Sequence, residues 1–380
     1  MPLTNPEPNS SRDPWDIAET AFPRQRSKSE KLHFCVNYAA LAPSSHNSQP
    51  WLFRVLPDQI EVYADLRRAL PAVDPDFREL VISCGAALHN LVLALRYFGY
   101  DSAVEVHAME IVPAENDHKV LLARVHIGST TVASAKECDL FHMIPKRRTS
   151  RMQFERRDIA NSFLAEIGEI ACSHGIWLQL LQEKRMREAL ADFVAQANRV
   201  QIADKKFRDE LSSWSSSTRK GRRDGMPGYA TGASFVLTYA GHFLFRTFRF
   251  PDWQARRDRN LVIEAPALAV LGTHEDSLKH WLNTGQALQA ISLRACLDSI
   301  WISFLNQPIE VAALRAYLNQ ELGVHGHSQL LIRIGYGPVS GHTPRRAARA
   351  LPTPLPPGTD RASCSTPRRR TPRARRAPSA

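Results

Sequence analysis

Two stretches of the chain, Ser83–Leu93 and Asn283–Leu293, place apolar residues at helical spacing and share Gly, Ala, Leu and Leu at an offset of 200 positions. Both predict buried helices, and Gly99 is placed to end the first. Each is followed by a short run that predicts a strand: Leu121–Gly128 (LLARVHIG) and Leu330–Gly337 (LLIRIGYG), rich in aliphatic residues and closed by glycine. Further upstream, Phe34, Val36, Ala39 and Leu41 predict another helix, and Leu52–Val55 another strand. The order of basic segment, helix, loop, strand, long helix and strand occurs twice. Such recurrence is the signature of an internal duplication; coincidence between generic helices is the alternative.

The two halves differ in two places. The first holds the polar loop Pro43-Ser44-Ser45-His46-Asn47-Ser48-Gln49-Pro50-Trp51, whereas the matching Ala171–Trp177 stretch of the second is about three residues shorter and lacks the Asn and Gln. One copy has kept a polar loop, so a site built on it occurs once. The second half also carries an insertion, about residues 204–260, whose Trp214–Gly228 portion is rich in turn-formers and whose continuation, Phe235 to Phe250, is apolar. Long insertions in compact domains are functional or disordered, and the apolar continuation points to a lid or arm.

Composition narrows the picture. With 43% hydrophobic and 23% charged residues, the 380-residue chain suits a globular protein with a sizeable core. The longest apolar run, Phe235–Phe245, is interrupted by His242 and is too short to span a bilayer. The start of the chain lacks a signal-peptide core, so the expected location is cytoplasmic, with no membrane partner. Six cysteines without a CxxC pair indicate neither a disulfide framework nor a zinc site. The net charge of +11 is concentrated at the C-terminal end. Residues 341–380 hold ten arginines and one aspartate, a share of +9 that leaves +2 for the rest. Such a Pro/Arg-rich tail is expected to be disordered, loose contact with RNA or membrane being the alternative reading.

The candidate chemistry lies in two segments. Ser44, Ser45, Asn47 and Gln49 offer uncharged donors and acceptors beside Trp51, a combination that suits a flat polar heterocycle. The same residues also read as a capped helix end with a turn. Lys146-Arg147-Arg148-Thr149-Ser150-Arg151 brings three arginines and a hydroxyl together, the donor set for a phosphate monoester; a basic linker is the other reading. There is no GxGxxG after a strand, no P-loop, no GxSxG and no metal-ligand cluster, and no catalytic residue is assigned.

The loop Pro43–Trp51 resembles the loop of the FMN-dependent nitroreductases that contacts the flavin across a dimer interface, and Lys146–Arg151 resembles their N-terminal flavin-phosphate segment, here displaced to mid-chain. Arg222–Pro227 and Ser303–Glu310 are similar to the fused-dimer, lid-bearing Acg type. The resemblance covers roughly residues 24–346 and implies an α+β fold, a fused tandem pair of nitroreductase-like half-domains with a helical interface and a lid insertion. The implied boundaries are an N-terminal arm over 1–23, a first half over 24–140, a second half over 141–346 and the tail over 347–380.

It implies FMN as cofactor, held by Pro43, Ser44, Ser45, His46, Asn47 and Gln49 of one half and by Arg147, Arg148, Thr149 and Arg151 of the other. Arg345 and Arg346 complete the phosphate site. NAD(P)H is the implied reductant, and a nitro or quinone-like small molecule the acceptor. A monomeric or weakly dimeric chain is expected, a pseudo-dimer in itself, with no specific nucleic-acid partner. Where the family carries an acid near the flavin, this chain reads Ile302-Ser303-Phe304, and a closed lid would cover the flavin. Storage of FMN with little turnover is therefore the alternative function.

Overall fold

A computed structural model of the chain describes residues 13–107, 110–111, 117–216, 223–227, 251–338, 341–348 and 351. The first half begins with α1 (Lys28–Ala39), whose N-terminus is closed by a reciprocal Ser27–Glu30 capping box. The strained loop follows, then β1 (Trp51–Val55), β2 (Gln59–Asp65), α2 (Arg78–Tyr97), β3 (Tyr100–Val106), β4 (Lys119–Thr130) and α3 (Ala135–Met143). The second half runs through α4 (Asn161–Ser173), β5 (Trp177–Leu180), α5 (Lys184–Ala203), α6 (Lys205–Trp214), the two-residue strands β6 (Ser215–Ser216) and β7 (Met226–Pro227), and α7 (Pro251–Ile263). It ends with β8 (Ala267–Thr273), α8 (Leu278–Leu297), β9 (Trp301–Phe304), the short α9 (Gln307–Glu310), α10 (Ala312–Glu321) and β10 (His327–Gly335).

Each half contributes one antiparallel four-stranded sheet, ordered β1-β2-β4-β3 and β5-β8-β10-β9. In both, the first two strands in the chain are neighbours, and the fourth lies between the second and the third. The long helix, α2 or α8, connects the second strand to the third in each case.

The recurring sequence segments are the contact between the halves. A Cβ on Gly285 would lie 1.9 Å from the carbonyl oxygen of Ile82, and one on Gly85 2.1 Å from that of Leu282. Only a residue without a side chain lets the two backbones approach this closely. Gln289 Nε2 donates to Asn90 Oδ1 at 2.7 Å across the same contact. Each helix also feeds both cores: Leu278, Leu282 and Leu293 of α8 join the first-half core, and Ile82 of α2 joins the second. That double burial explains why both helices are apolar on more than one face. α2 is long and apolar enough to cross a membrane, but 78% of its apolar window is buried in the protein.

The insertion is longer than its sequence signature. It occupies the connection from β5 to β8, so α5 belongs to it as well as α6 and α7, whereas β1 and β2 are joined by three residues. α6 docks onto the first half through Phe207, which joins Leu70, Val73 and Ile202 in a small apolar cluster. Glu210 accepts the backbone N–H groups of Ala72 and Val73 at 3.0 and 3.1 Å. The Phe235–Phe250 stretch lies outside the described residues, as do residues 1–12 and 352–380.

Structure continues across the expected boundaries. Positions 140 and 141 both lie in α3. Trp15, Ile17 and Phe22 of the arm pack on the first-half core. Beyond 347, Ala348 packs on the same core and Leu351 N donates to Phe53 O of β1 at 2.7 Å.

Candidate functional site

The basic segment leaves α3 as extended chain and docks on the second sheet. Ser150 N donates to Ile302 O of β9 at 3.2 Å, and Thr149 forms an isolated parallel bridge to Ile302. Arg333 of β10, 1% exposed, secures this path by donating to the carbonyls of Ser150 (3.2 Å) and Met152 (2.7 Å). α4 does not start until Asn161, so no helix dipole assists the segment.

The polar loop of the first half faces it. His46, Asn47 and Gln49 take φ values of 49°, 53° and 52°, three left-handed non-glycine residues in four positions. Such geometry persists only where surrounding contacts over-determine it, and two remote segments supply them. Asn47 Nδ2 donates to Gly225 O and Pro344 O, each at 2.9 Å, and its Oδ1 accepts from Arg345 at 2.6 Å. Gln49 donates to Arg223 O at 2.9 Å and accepts from Arg346 N at 2.8 Å. Arg68 ties the loop to the insertion by donating to Ser48 O and pairing with Asp224.

Between the loop and the basic segment lies a cleft with about 500 Å³ of empty space, part of it open to solvent. Pro43, Ser44 and Asn47 line it from the loop, Arg147, Arg148, Thr149 and Arg151 from the basic segment, and Thr343 and Arg345 from the C-terminal segment. Trp15, Met226 and His342 complete the wall. Among the described residues four arginines line this cleft and no acid does. Arg147 is 5% exposed, and the Nε atoms of Arg147 and Arg148 are buried without a hydrogen-bond partner. Among the described residues neither guanidinium has a carboxylate within ion-pair distance. Burial, opposed by nearby Cys296, holds Arg147 down at about 10, and burial lowers Arg151 as well. Burial and the arginine charges also push His342 down to about 4, so it adds no fifth charge near neutral pH. Concentrated buried positive charge of this kind is matched by a ligand anion.

The remaining expected residues sit elsewhere. Ser45 turns from the cleft to donate to buried Glu79 at 2.5 Å. His46 lies beside Arg151 and is driven down to about 4 by burial and that positive charge. Gln49 and Arg346 lie behind the loop wall rather than on it. The amides of Asn47 and Gln49 are both engaged within the protein, Asn47 while also lining the cleft. Trp15, Met226, His342 and Glu79 escaped the sequence reading. Each stands alone in its local sequence, and only the fold brings them to the loop.

No profile of a known family matches the chain. Full-length relatives do. A Mycobacterium tuberculosis protein that bears the name NAD(P)H nitroreductase Rv3131 is 29% identical over 322 residues, covering 83% of this chain and 89% of its own. Over most of its length the chain is thus similar to a protein named as a nitroreductase. A second relative, the M. tuberculosis protein named NAD(P)H nitroreductase acg, is 24% identical over 324 residues, 83% of this chain and 91% of its own. Among solved structures, a nitroreductase from Anabaena variabilis overlaps 73% of this chain and 69% of its own at 11% identity and TM-score 0.39. The FMN-dependent nitroreductase NfnB of Mycobacterium smegmatis overlaps 52% of this chain and 87% of its own at 16% identity and TM-score 0.32.

Proposed function

We propose that this chain is an FMN-binding oxidoreductase with one flavin site per molecule, reduced by NAD(P)H and passing electrons to nitro or quinone-like small molecules. The observation that carries the reading is the cleft, free of acids among its described lining residues, in which Arg147, Arg148, Arg151 and Arg345 meet the Pro43–Asn47 loop. Its donor set fits the phosphate of FMN: a dianion would accept from the guanidinium and Thr149 hydroxyl groups that line the cleft and balance the buried charge. The names of the relatives agree with this chemistry. FMN supplies the hydride and electron transfer when bound. The chain supplies the phosphate clamp from the second half and the loop from the first. The 223–226 segment and the C-terminal segment hold that loop rigid.

We read the two halves as a diverged duplication, on the strength of their common strand order and the paired glycines of α2 and α8. The shorter Cys172–Trp177 stretch, with Arg24–Ser27 as its counterpart clamp, then leaves the reciprocal site incomplete. Titration is expected to give one FMN per chain, with Ser173→Ala without effect; two equivalent sites would refute this asymmetry.

A storage function has one observation in its favour. Asn47 and Gln49 are held by carbonyls of the 223–225 segment, so the insertion is closed on the loop. Visible absorption of purified protein tests the cofactor, and steady-state NAD(P)H oxidation with nitroaromatics and quinones tests turnover. Bound flavin with turnover above free FMN supports the oxidoreductase. Tight flavin without turnover, with reductant access gained on deleting residues 212–232, supports storage. No flavin binding refutes both.

A further inference from the structure

We infer that Trp15 is a specificity-determining residue of the anion cleft, whose ring holds two of the four arginines aimed inward for a phosphate-bearing ligand. The guanidinium carbons of Arg345 and Arg148 lie 4.8 and 5.9 Å from the Trp15 ring centroid. The ring itself is fixed on two sides. Its Nε1 donates to Thr343 O at 2.9 Å, and it meets the His342 ring edge-on at 4.0 Å. The aromatic face attracts cations without neutralising them. Like charges this close repel one another; Arg148 Nη1 donates to the carbonyls of Pro145, Lys146 and Arg147, and the ring adds a face against which its guanidinium rests. Arg345 also donates to Asn47 Oδ1, Thr343 Oγ1 and Ala42 O, so Trp15 adds to these partners an aromatic face shared by both arginines, a weaker cation–π contact that a dianion can still displace. The arm that carries it is part of the site.

This inference rests on the reading that the cleft takes a phosphate monoester. The experiment compares the full-length wild type with Trp15→Phe and Trp15→Leu, using FMN, riboflavin and inorganic phosphate as probes. Trp15→Phe retains a ring face and should hold the ratio of FMN to riboflavin affinity within about twofold of wild type. Trp15→Leu should lower that ratio about tenfold, with riboflavin affinity unchanged. As a second readout, inorganic phosphate should change the tryptophan emission of the wild type and leave that of Trp15→Phe unaltered. This holds even if Trp15→Leu does not fold. An unchanged ratio in folded Trp15→Leu, equal loss of both flavins, or emission changes alike in wild type and Trp15→Phe overturns the inference while the flavin reading stands. A wild type that binds neither FMN nor inorganic phosphate overturns both.

Discussion

The side chain of Asn47 makes three hydrogen bonds, all to segments far away in the chain. Its partners lie 178 to 298 positions distant, beyond the reach of a local reading. The loop was legible as a site because prolines and uncharged polar residues cluster there; the use of each side chain was not. Trp15 was illegible for the same reason, with its carbonyl partner 328 positions off. Asn47→Ala removes these bonds at about 0.5–1.5 kcal/mol each and puts alanine in a left-handed backbone. Thermal unfolding without ligand should therefore fall by about 2–4 kcal/mol in stability. Arg147→Ala with Arg148→Ala is the opposite case. Stability should hold, because a buried and a half-buried like charge are lost together, while FMN weakens by about 1.5–3 kcal/mol per lost charge-assisted bond and riboflavin does not. Equal loss of both ligands in a binding titration would make these arginines structural.

The helices were the most legible elements, since α2 and α8 carry their contact signature within eleven residues. Gly85 and Gly285 recur because each sits against the other's backbone. Gly285→Ala must push the helices apart, and overpacking of this kind costs about 1–3 kcal/mol. Its denaturant midpoint should drop, whereas Gly168→Ala, with nothing within 4 Å of the added carbon on α4, should hold or gain stability. Equal midpoints would mean that the helices yield freely. The sheets were less legible. Short strands such as β9 have only four residues, and their order follows from long-range pairing that no window reveals. The insertion was underestimated because α5 reads as an ordinary amphipathic helix, and only its place between two paired strands marks it as inserted.

At the scale of the molecule, the first half, the second half and the insertion meet around Glu310. Its carboxyl accepts from Gln201 of α5 at 2.5 Å, and burial together with Glu79 and Asp74 of the first half pushes it up to about 8. The unfolded chain ionises this group near 4.5, so between about 4.5 and 8 the folded protein holds a proton that the unfolded chain releases. Its contribution to stability is complete below that window and is lost as pH rises through it. Glu310→Gln keeps an acceptor for Gln201 and removes the titration. Its melting temperature should exceed that of wild type at pH 8 and show no such gain at pH 5. A constant offset at both values would contradict this.

The crossing of α2 and α8 has a further consequence. Two folded halves that meet within one chain need no encounter in solution, so dilution cannot part them and the melting temperature should not depend on protein concentration. In a pair of identical subunits every substitution is made twice, once on each side of the contact. Here it is made once. A change that ruins the loop of one half leaves the other half's loop as it was, and each side of the molecule is free to accumulate its own history.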